Sequence, residues 1–600
     1  MATPESVLVA NRGEIAARVL RACRELGIRG IAIHVAGDTA HLALADEAVE
    51  VPSYLDGAAI VGAAQASGAA AIHPGYGFLS ENAEFARAVA RAGLVFVGPD
   101  ADVIELMGRK DRAREVAERA GVPVTPRFEP DAVPADAYPV LVKAAAGGGG
   151  KGMHVVRGPE GLADALATAA REARSAFGDD TLLIERYVEG GRHVEVQVFG
   201  DRHGNVVHLF ERDCSAQRRH QKVVEEAPAP GLDPQVRERI LSAAVALCRE
   251  VGYVGAGTVE YLVRGSEAYF LEMNTRLQVE HPVTEEVTGT DLVHWQLAVA
   301  ADEPLPRTQD QITCTGHAIE VRVYAEDPYA GFLPQAGTVR EAWWPGGRVE
   351  TVVEDGTAVT SSFDPMLAKI VATGDDRDAA IDAMTEALDE TALFGLTTNT
   401  GFLRRLVDSE EFRAGRVDTG FLDTHPEGLL TPPEVPEAAA AHAARLLWPD
   451  AGDGWRLAGD AAPVVLPVVD QAGERHEVDG TSGLPPGPAT TDGVRAWVAV
   501  EGQPWVFERP DGTRRPRAVH AGDAEVTAPM PGTVIAVEVT EGQEVAAGDR
   551  LGAVEAMKME LALVAPHAGV VTQVAAREGA QVKMGELLFH VVAPEAEEDR

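Results

Sequence analysis

The run Ala528-Pro529-Met530-Pro531-Gly532-Thr533-Val534 returns as Ala565-Pro566-His567-Ala568-Gly569-Val570-Val571. Glu541-Gly542, Val545, Gly548 and Leu551 return as Glu578-Gly579, Val582, Gly585 and Leu588, and the offset is 37 residues for every pair. A constant offset held from Ala528 to Leu551 implies two copies of one supersecondary unit. Each copy reads as short strands broken at glycine turns. Together they predict a small pseudo-symmetric β-sandwich, with Lys558 of Glu555-Ala-Met-Lys-Met559 on the turn between its halves. An ordinary surface lysine has no need of that position.

Outward from this unit, 600 residues imply several domains. The composition, 46% apolar and 24% charged, is that of a soluble globular protein. A net charge of −40 argues against a nucleic-acid partner. No apolar run approaches the ~18 residues of a membrane helix. Met1 to Ala10 lacks a basic segment followed by an apolar core, so no signal peptide is expected. The four cysteines (Cys23, Cys214, Cys248, Cys314) show neither metal-ligand spacing nor a disulfide framework, which points to the reducing cytoplasm.

The N-terminal segment alternates strands and helices. Ser6–Ala10 reads as a strand and Asn11-Arg-Gly-Glu14 opens an amphipathic helix to Leu26. Strands follow at Gly30–Val35, Ala69–His73 and Leu94–Val97, with a helix over Asn82–Ala92. This is the pattern of a parallel, Rossmann-like α/β sheet. Beyond about residue 110 the pattern is α+β, with an Ala-rich helix over 161–177 and another helix over 376–391. Glu427–Glu437 reads as a Pro-rich linker, and 450–520 as a small antiparallel β domain with a structural or docking role.

Three segments point to chemistry. In Pro139-Val-Leu-Val-Lys143-Ala-Ala-Ala-Gly147-Gly148-Gly149-Gly150-Lys151-Gly152 a glycine loop can close backbone N–H groups over phosphates. No Ser or Thr follows Lys151 and strands flank the loop, so it is not a Walker loop. It resembles the ATP-grasp fold; read alone it also suits a flexible linker. Next, Gly257–Val263 and Ala268–Asn274 predict a β-hairpin that sets Glu260 opposite Glu272 with Asn274 on the same face. Two carboxylates so close repel, and Mg²⁺ would remove the conflict; the alternative is a solvent-facing acidic edge. Finally, Arg276, Gln278 and Glu280 alternate along one expected face, a fork for a small anion beside a general base. Bicarbonate fits that description. Glu211–Ser215 and Gln217–Lys222 concentrate positive charge suited to phosphate or to a plain basic surface.

Residues 1–445 resemble a biotin carboxylase at Asn11–Glu14, at His73-Pro-Gly-Tyr-Gly-Phe-Leu-Ser-Glu-Asn82, at Gly147–Gly152, at Glu211–Pro230 and at Glu272–Thr284. Residues 525–594 resemble the biotinyl carrier domain, with a methionine on each side of Lys558. The whole resembles the α subunit of an acyl-CoA carboxylase. The resemblance implies a Rossmann-like N-terminal domain (1–108), an ATP-grasp domain (109–312, lid about 130–205) and a carboxylase C-terminal domain (313–426). A linker with a docking-type β domain (427–523) and the all-β carrier (524–594) would follow.

It also implies roles. Lys110, Lys143 and the loop glycines Gly148, Gly149 and Gly150 would hold ATP phosphates, with Gln217, His220 and Lys222 at the phosphate end. Glu185 would flank adenine and His193 the ribose; Glu260, Glu272 and Asn274 would bind Mg²⁺ or Mn²⁺. Arg276, Gln278 and Val279 would grip bicarbonate, Glu280 would deprotonate it, and Arg322 would stabilise the biotin enolate. The loop has Lys151 where some relatives have Arg, which keeps the charge but loses the fork. ATP and bicarbonate would give carboxyphosphate, and carboxybiotin on Lys558 would swing to a carboxyltransferase.

No carboxyltransferase is visible in the sequence, so a separate β subunit is expected, with several α and β subunits assembled together. Biotin protein ligase would be a transient partner. The acceptor would be a short-chain acyl-CoA, acetyl- or propionyl-CoA; the α subunit of 3-methylcrotonyl-CoA carboxylase is the alternative. A non-biotin ATP-grasp ligase would leave Lys558 unexplained.

Overall fold

The computed structural model describes residues 3–145, 153–218, 221–424, 428–450, 464–479, 487–510, 523–529, 532–556, 559–583 and 585–593. Gly148, Gly149, Gly150, Lys151, His220 and Lys558 fall outside them.

The N-terminal strands form a five-stranded parallel sheet in the order Glu47–Glu50, Arg29–His34, Ser6–Val9, Ala71–His73, Val95–Phe96. Helix Gly13–Glu25 lays Ile15, Val19 and Leu20 against it. The helix expected from Asn82 starts at Ala83, because Asn82 caps it: its Oδ1 accepts the Phe85 N–H at 2.8 Å. Edge strand Glu47–Glu50 and helix Gly57–Ala66 were not anticipated. The first is four residues with a charge at each end, and the second is Ala- and Gly-rich without a clear apolar stripe.

The centre is one continuous eight-stranded antiparallel sheet. Its order is Glu267–Asn274, Gly255–Arg264, Arg192–Gly200, Val206–Arg218, Gln221–Ala227, His317–Tyr324, Met366–Gly374, Arg348–Thr351. Val224 pairs with Val321, so the strand bearing Lys222 lies directly beside the strand bearing Arg322. A smaller sheet carries Val140–Ala144 antiparallel to His154–Val156, which bracket the glycine loop, and Leu182–Arg186 on the other side.

The Glu260–Glu272 pairing is reached by an unexpected route. The hairpin closes with Arg264 opposite Glu267, a two-residue turn that by itself would place Leu271 opposite Glu260. A bulge between Glu260 and Tyr261 shifts the register by one residue and restores Glu260 opposite Glu272.

Helix Glu437–Leu447 buries its alanines against a five-stranded antiparallel sheet around Val468, Val498 and Phe507. This unit is seated on the preceding domain: Thr400 donates to the Gly502 carbonyl at 2.6 Å, and Trp497 packs with Phe394. The C-terminal unit is two four-stranded antiparallel sheets. The repeat is exact enough to exchange hydrogen bonds: Gly542 N–H donates to Val571 O at 2.7 Å, and Gly579 N–H to Val534 O at 2.8 Å. Val534 and Val571, and Leu551 and Leu588, are buried as equivalent pairs. All four glycines at the repeated turns (Gly542, Gly579, Gly548, Gly585) have positive φ, where a side chain would be strained. Among the described residues no helix is long and apolar enough to cross a membrane.

Candidate active site

A cavity of about 1250 Å³ opens where the N-terminal sheet, the small sheet and the central sheet meet. Its wall includes Lys110, Lys143, Glu185, His193, Gln217, Lys222, Glu260, Glu272, Asn274, Arg276, Gln278, Val279 and Arg322. Residues spread over more than two hundred sequence positions thus face one space.

At the small-sheet end, Lys143 pairs with Glu185 at 2.8 Å, and Glu185 also accepts from Thr125 at 2.7 Å. Burial alone would raise the Glu185 carboxyl, but Lys143 and its other donors hold it below the ordinary range. The Glu185 side chain is therefore committed within the protein, and Arg186, Tyr187 and Val188 follow it along the cavity wall. Lys110 forms an ion pair with Glu272.

Glu260 is enclosed by donors: Asn274 at 2.7 Å, His193 at 3.0 Å, Gln278 at 3.2 Å and Lys222 at 3.3 Å. Burial opposes its ionisation, but Lys222 and His193 outweigh that and hold it far below the ordinary range. His193, expected near a ribose, lines the cavity and lies against the expected metal ligand Glu260. Among the described residues, the carboxylates and imidazole that converge within 4.8 Å here are His193, Glu195 and Glu260, and Glu272 is not among them. The hairpin repulsion is thus relieved by ammonium groups, Lys222 on one carboxylate and Lys110 on the other. Two carboxylates and an amide oxygen on one cavity wall still form a donor set suited to a hard divalent cation beside phosphate.

Thr275–Glu280 is not the strand that the alternation implied. The segment is an irregular turn, and Glu280 is the N-cap residue of helix His281–Thr288. Arg276 bonds Gln278 at 2.8 Å and Glu81 at 2.8 Å. Glu280 is fully buried and contributes no surface to the cavity. Its two oxygens meet Lys222 at 2.6 Å and Arg322 at 3.0 Å, and both of those cations do face the cavity. Burial would raise its pKa, but Lys222, Arg322 and Arg212 hold it well below the usual carboxylate value.

Behind this wall lies a buried ionic chain that sequence reasoning missed. Glu225 pairs with Arg322; Arg322 with Glu280; Glu280 with Lys222; Lys222 with Glu195 at 2.6 Å; and Glu195 with Arg212 at 2.7 Å. Arg212 is fully buried and also donates to Gln197 at 2.7 Å and Thr284 at 2.9 Å. Removing one partner from a buried pair leaves an uncompensated charge. Arg212→Met is therefore expected to cost about 3–5 kcal/mol, read as a lowered denaturant midpoint, while a surface change such as Arg416→Met leaves the midpoint in place.

The sequence matches four known families. Residues 3–104 match "Biotin carboxylase, N-terminal domain", 109–308 "Carbamoyl-phosphate synthase L chain, ATP binding domain", 320–424 "Biotin carboxylase C-terminal domain" and 524–591 "Biotin-requiring enzyme". The biotin carboxylase of Haemophilus influenzae is 48% identical over 440 residues, 70% of this chain and 98% of that protein. The mitochondrial methylcrotonoyl-CoA carboxylase subunit alpha of Rattus norvegicus is 48% identical over 446 residues, 71% of this chain and 62% of that protein. The chain thus spans less than two thirds of the methylcrotonoyl-CoA carboxylase relatives it matches. Among solved structures, the biotin carboxylase domain of Hydrogenobacter thermophilus 2-oxoglutarate carboxylase, in complex with MgADP, ADP and bicarbonate, superposes with a TM-score of 0.70 at 44% identity. It covers 72% of this chain and 100% of that one. Biotin carboxylase from Campylobacter jejuni superposes with a TM-score of 0.68 at 42% identity, covering 70% and 99%. The chain belongs to the biotin carboxylase family, ATP-dependent ligases that carboxylate biotin, and it has a biotin-requiring domain on the same polypeptide.

Proposed function

We propose that this chain is the α subunit of an acyl-CoA carboxylase, with biotin attached at Lys558 and a carboxyltransferase β subunit as partner. One observation carries the reading: five cations (Lys110, Lys143, Lys222, Arg276, Arg322) and the carboxylates Glu260 and Glu272 converge on one cavity, in a chain that also holds the pseudo-symmetric sandwich. Lys110, Lys143 and Lys222 neutralise the phosphates of ATP, and Mg²⁺ is held by Glu260, Glu272 and Asn274. His220 and the loop glycines join them at the phosphates. Arg276, Gln278 and the Val279 backbone seat bicarbonate, which attacks the γ-phosphate to give ADP and carboxyphosphate. Attached biotin supplies the ureido nitrogen that accepts and carries the carboxyl group.

Glu280 has a conditional role in this reading. While Lys222 and Arg322 cover its oxygens, the carboxylate is a weak base. A substrate anion that draws either cation into the cavity uncovers an oxygen and raises its basicity. Glu280 then takes the bicarbonate proton, and Arg322 stabilises negative charge beside it.

The acceptor is taken as a short-chain acyl-CoA. A second reading, 3-methylcrotonyl-CoA, is favoured by relatives of that name at 45–48% identity. Capture of the native complex on avidin, followed by labelled bicarbonate, ATP and a panel of acyl-CoAs, tests both. Label is expected in one CoA ester. Label in none, from a complex that retains its partner, would overturn the acyl-CoA reading.

A further inference from the structure

Directly behind the bicarbonate turn sits a lysine that the reaction above does not use. Lys369, on strand Met366–Gly374, is fully buried. Its Nζ donates to the Val279 carbonyl at 2.6 Å, and it lies 3.5 Å from Glu14 at the start of helix Gly13–Glu25. Three parts of the chain meet here: the N-terminal domain through Glu14, the bicarbonate turn through Val279, and the C-terminal domain through Lys369. Neither oxygen of Glu14 accepts a normal hydrogen bond from the described residues, although the side chain is buried and lines the cavity. A buried carboxylate without donors is costly, and a buried ammonium needs a counter-charge. Each side chain thus depends on the other across the domain boundary.

We propose that Lys369 is a positioning residue for the bicarbonate turn, held to the Val279 carbonyl and counter-charged by Glu14 from the N-terminal domain. The inference rests on the placement of bicarbonate at Val279. The Val279 peptide carries its carbonyl to Lys369 and neighbours the side chains of Gln278 and Glu280. Fixing that carbonyl therefore fixes the orientation of the whole turn.

Glu14 also makes the device responsive to pH. The groups facing it are Lys369 and Arg21, which favour its ionisation, and Glu350, which opposes it. Lys369 in turn is faced by Glu14, by Glu350 and Arg322 on the strands to either side, by Glu320, by His281, and by the ring of Tyr76 at 5.9 Å. Burial dominates at Glu14 and pushes its carboxyl up to about 7. Below that pH it is neutral, Lys369 is balanced by Glu350 but no longer by Glu14, and the surroundings of the anion site are more positive by one charge. Above it, ionised Glu14 cancels that charge, and bicarbonate is held less well.

The test uses the full chain and bicarbonate-dependent ATP hydrolysis with free biotin, with rates expressed per bicarbonate ion present. Lys369→Met is expected to raise KM for bicarbonate about tenfold or more, while KM for ATP moves by less than about twofold. In the wild type, kcat/KM for bicarbonate should fall several-fold as pH rises through about 7. Glu14→Gln should keep the acid-side value throughout. This variant is isosteric and carries the test if Lys369→Met fails to fold. An unchanged bicarbonate KM in folded Lys369→Met, or a surviving inflection near pH 7 in Glu14→Gln, overturns the inference alone. A wild type whose ATP hydrolysis ignores bicarbonate overturns the bicarbonate reading itself, and this inference with it.

Discussion

Glu280→Gln is expected to lower bicarbonate-dependent ATP hydrolysis by about 10²- to 10⁴-fold. Glutamine keeps the shape and one acceptor but removes the charge that would take the proton. The change also strips the shared counter-charge from Lys222 and Arg322, so a stability loss approaching about 3–5 kcal/mol accompanies it. The two effects separate experimentally. A folded mutant that still binds ATP but no longer responds to bicarbonate has lost the base; a mutant that loses both has lost the site. Activity within about tenfold of the wild type in a folded mutant would remove Glu280 from the base role.

The pH behaviour of Glu280 follows from its surroundings. Its folded pKa lies well below the ordinary value, so its contribution to stability is fully present above about pH 4.3, the unfolded carboxylate range. That contribution is lost only as pH falls through the folded pKa. Near neutrality it is ionised in both states and contributes no inflection. An inflection of activity near neutral pH belongs to another group; on the site's own wall the candidates are Glu14, pushed up to about 7 by burial, and His193, whose imidazole burial would lower but Glu260 raises.

What was legible in the sequence followed from periodicity, and what was missed followed from its failure. The offset between Val534 and Val571 could be read because the repeated apolar residues perform the same buried task twice, while the repeated glycines make the same turns. The Glu260–Glu272 pairing was reached from a turn centred near Ser266, whereas the protein uses a tighter turn and a compensating bulge. A bulge leaves no mark in residue type. Val194-Glu195-Val196-Gln197-Val198 alternates like a strand with one wet face, yet Glu195 and Gln197 are fully buried. The polar face is covered and its charges are met by Arg212 and Lys222, partners brought in by neighbouring strands. Such a chain of charges exists only once the strands are paired. Alternation put Glu280 on a strand face with Arg276 and Gln278, whereas a turn and a helix start bury it behind two other cations, Lys222 and Arg322.

Lys558→Arg is expected to abolish avidin capture and transfer of carboxyl groups to acyl-CoA, while carboxylation of free biotin stays within about twofold of wild type. Arginine preserves charge and approximate length, and Lys558 falls between the repeated apolar positions of the sequence and not at one of them; a substitution outside a core is usually worth less than about 0.5 kcal/mol, so the sandwich is expected to stay folded. The guanidinium stays protonated and offers no amine to acylate. The cavity residues lie hundreds of positions upstream and keep their geometry. The repeat unit supplies an internal control, because it contains a second lysine followed by methionine, Lys583-Met584. Local sequence separates the two sites only by the residue before the lysine, Met557 against Val582, and their places in the repeat separate them further. Ala556 pairs with Met559, so the described strands Arg550–Ala556 and Met559–Val564 that flank Lys558 in the sequence are joined at the junction of the two repeats. Lys583 instead lies within the second copy, after the short strand Gln581–Val582, and its backbone N–H is tied to Glu586 at 2.9 Å. Lys583→Arg should therefore keep both avidin capture and transfer. Capture that survives Lys558→Arg and is lost in Lys583→Arg would move the attachment site to Lys583, and would mean that neither the paired flanking methionines nor the position between the two repeats chooses it.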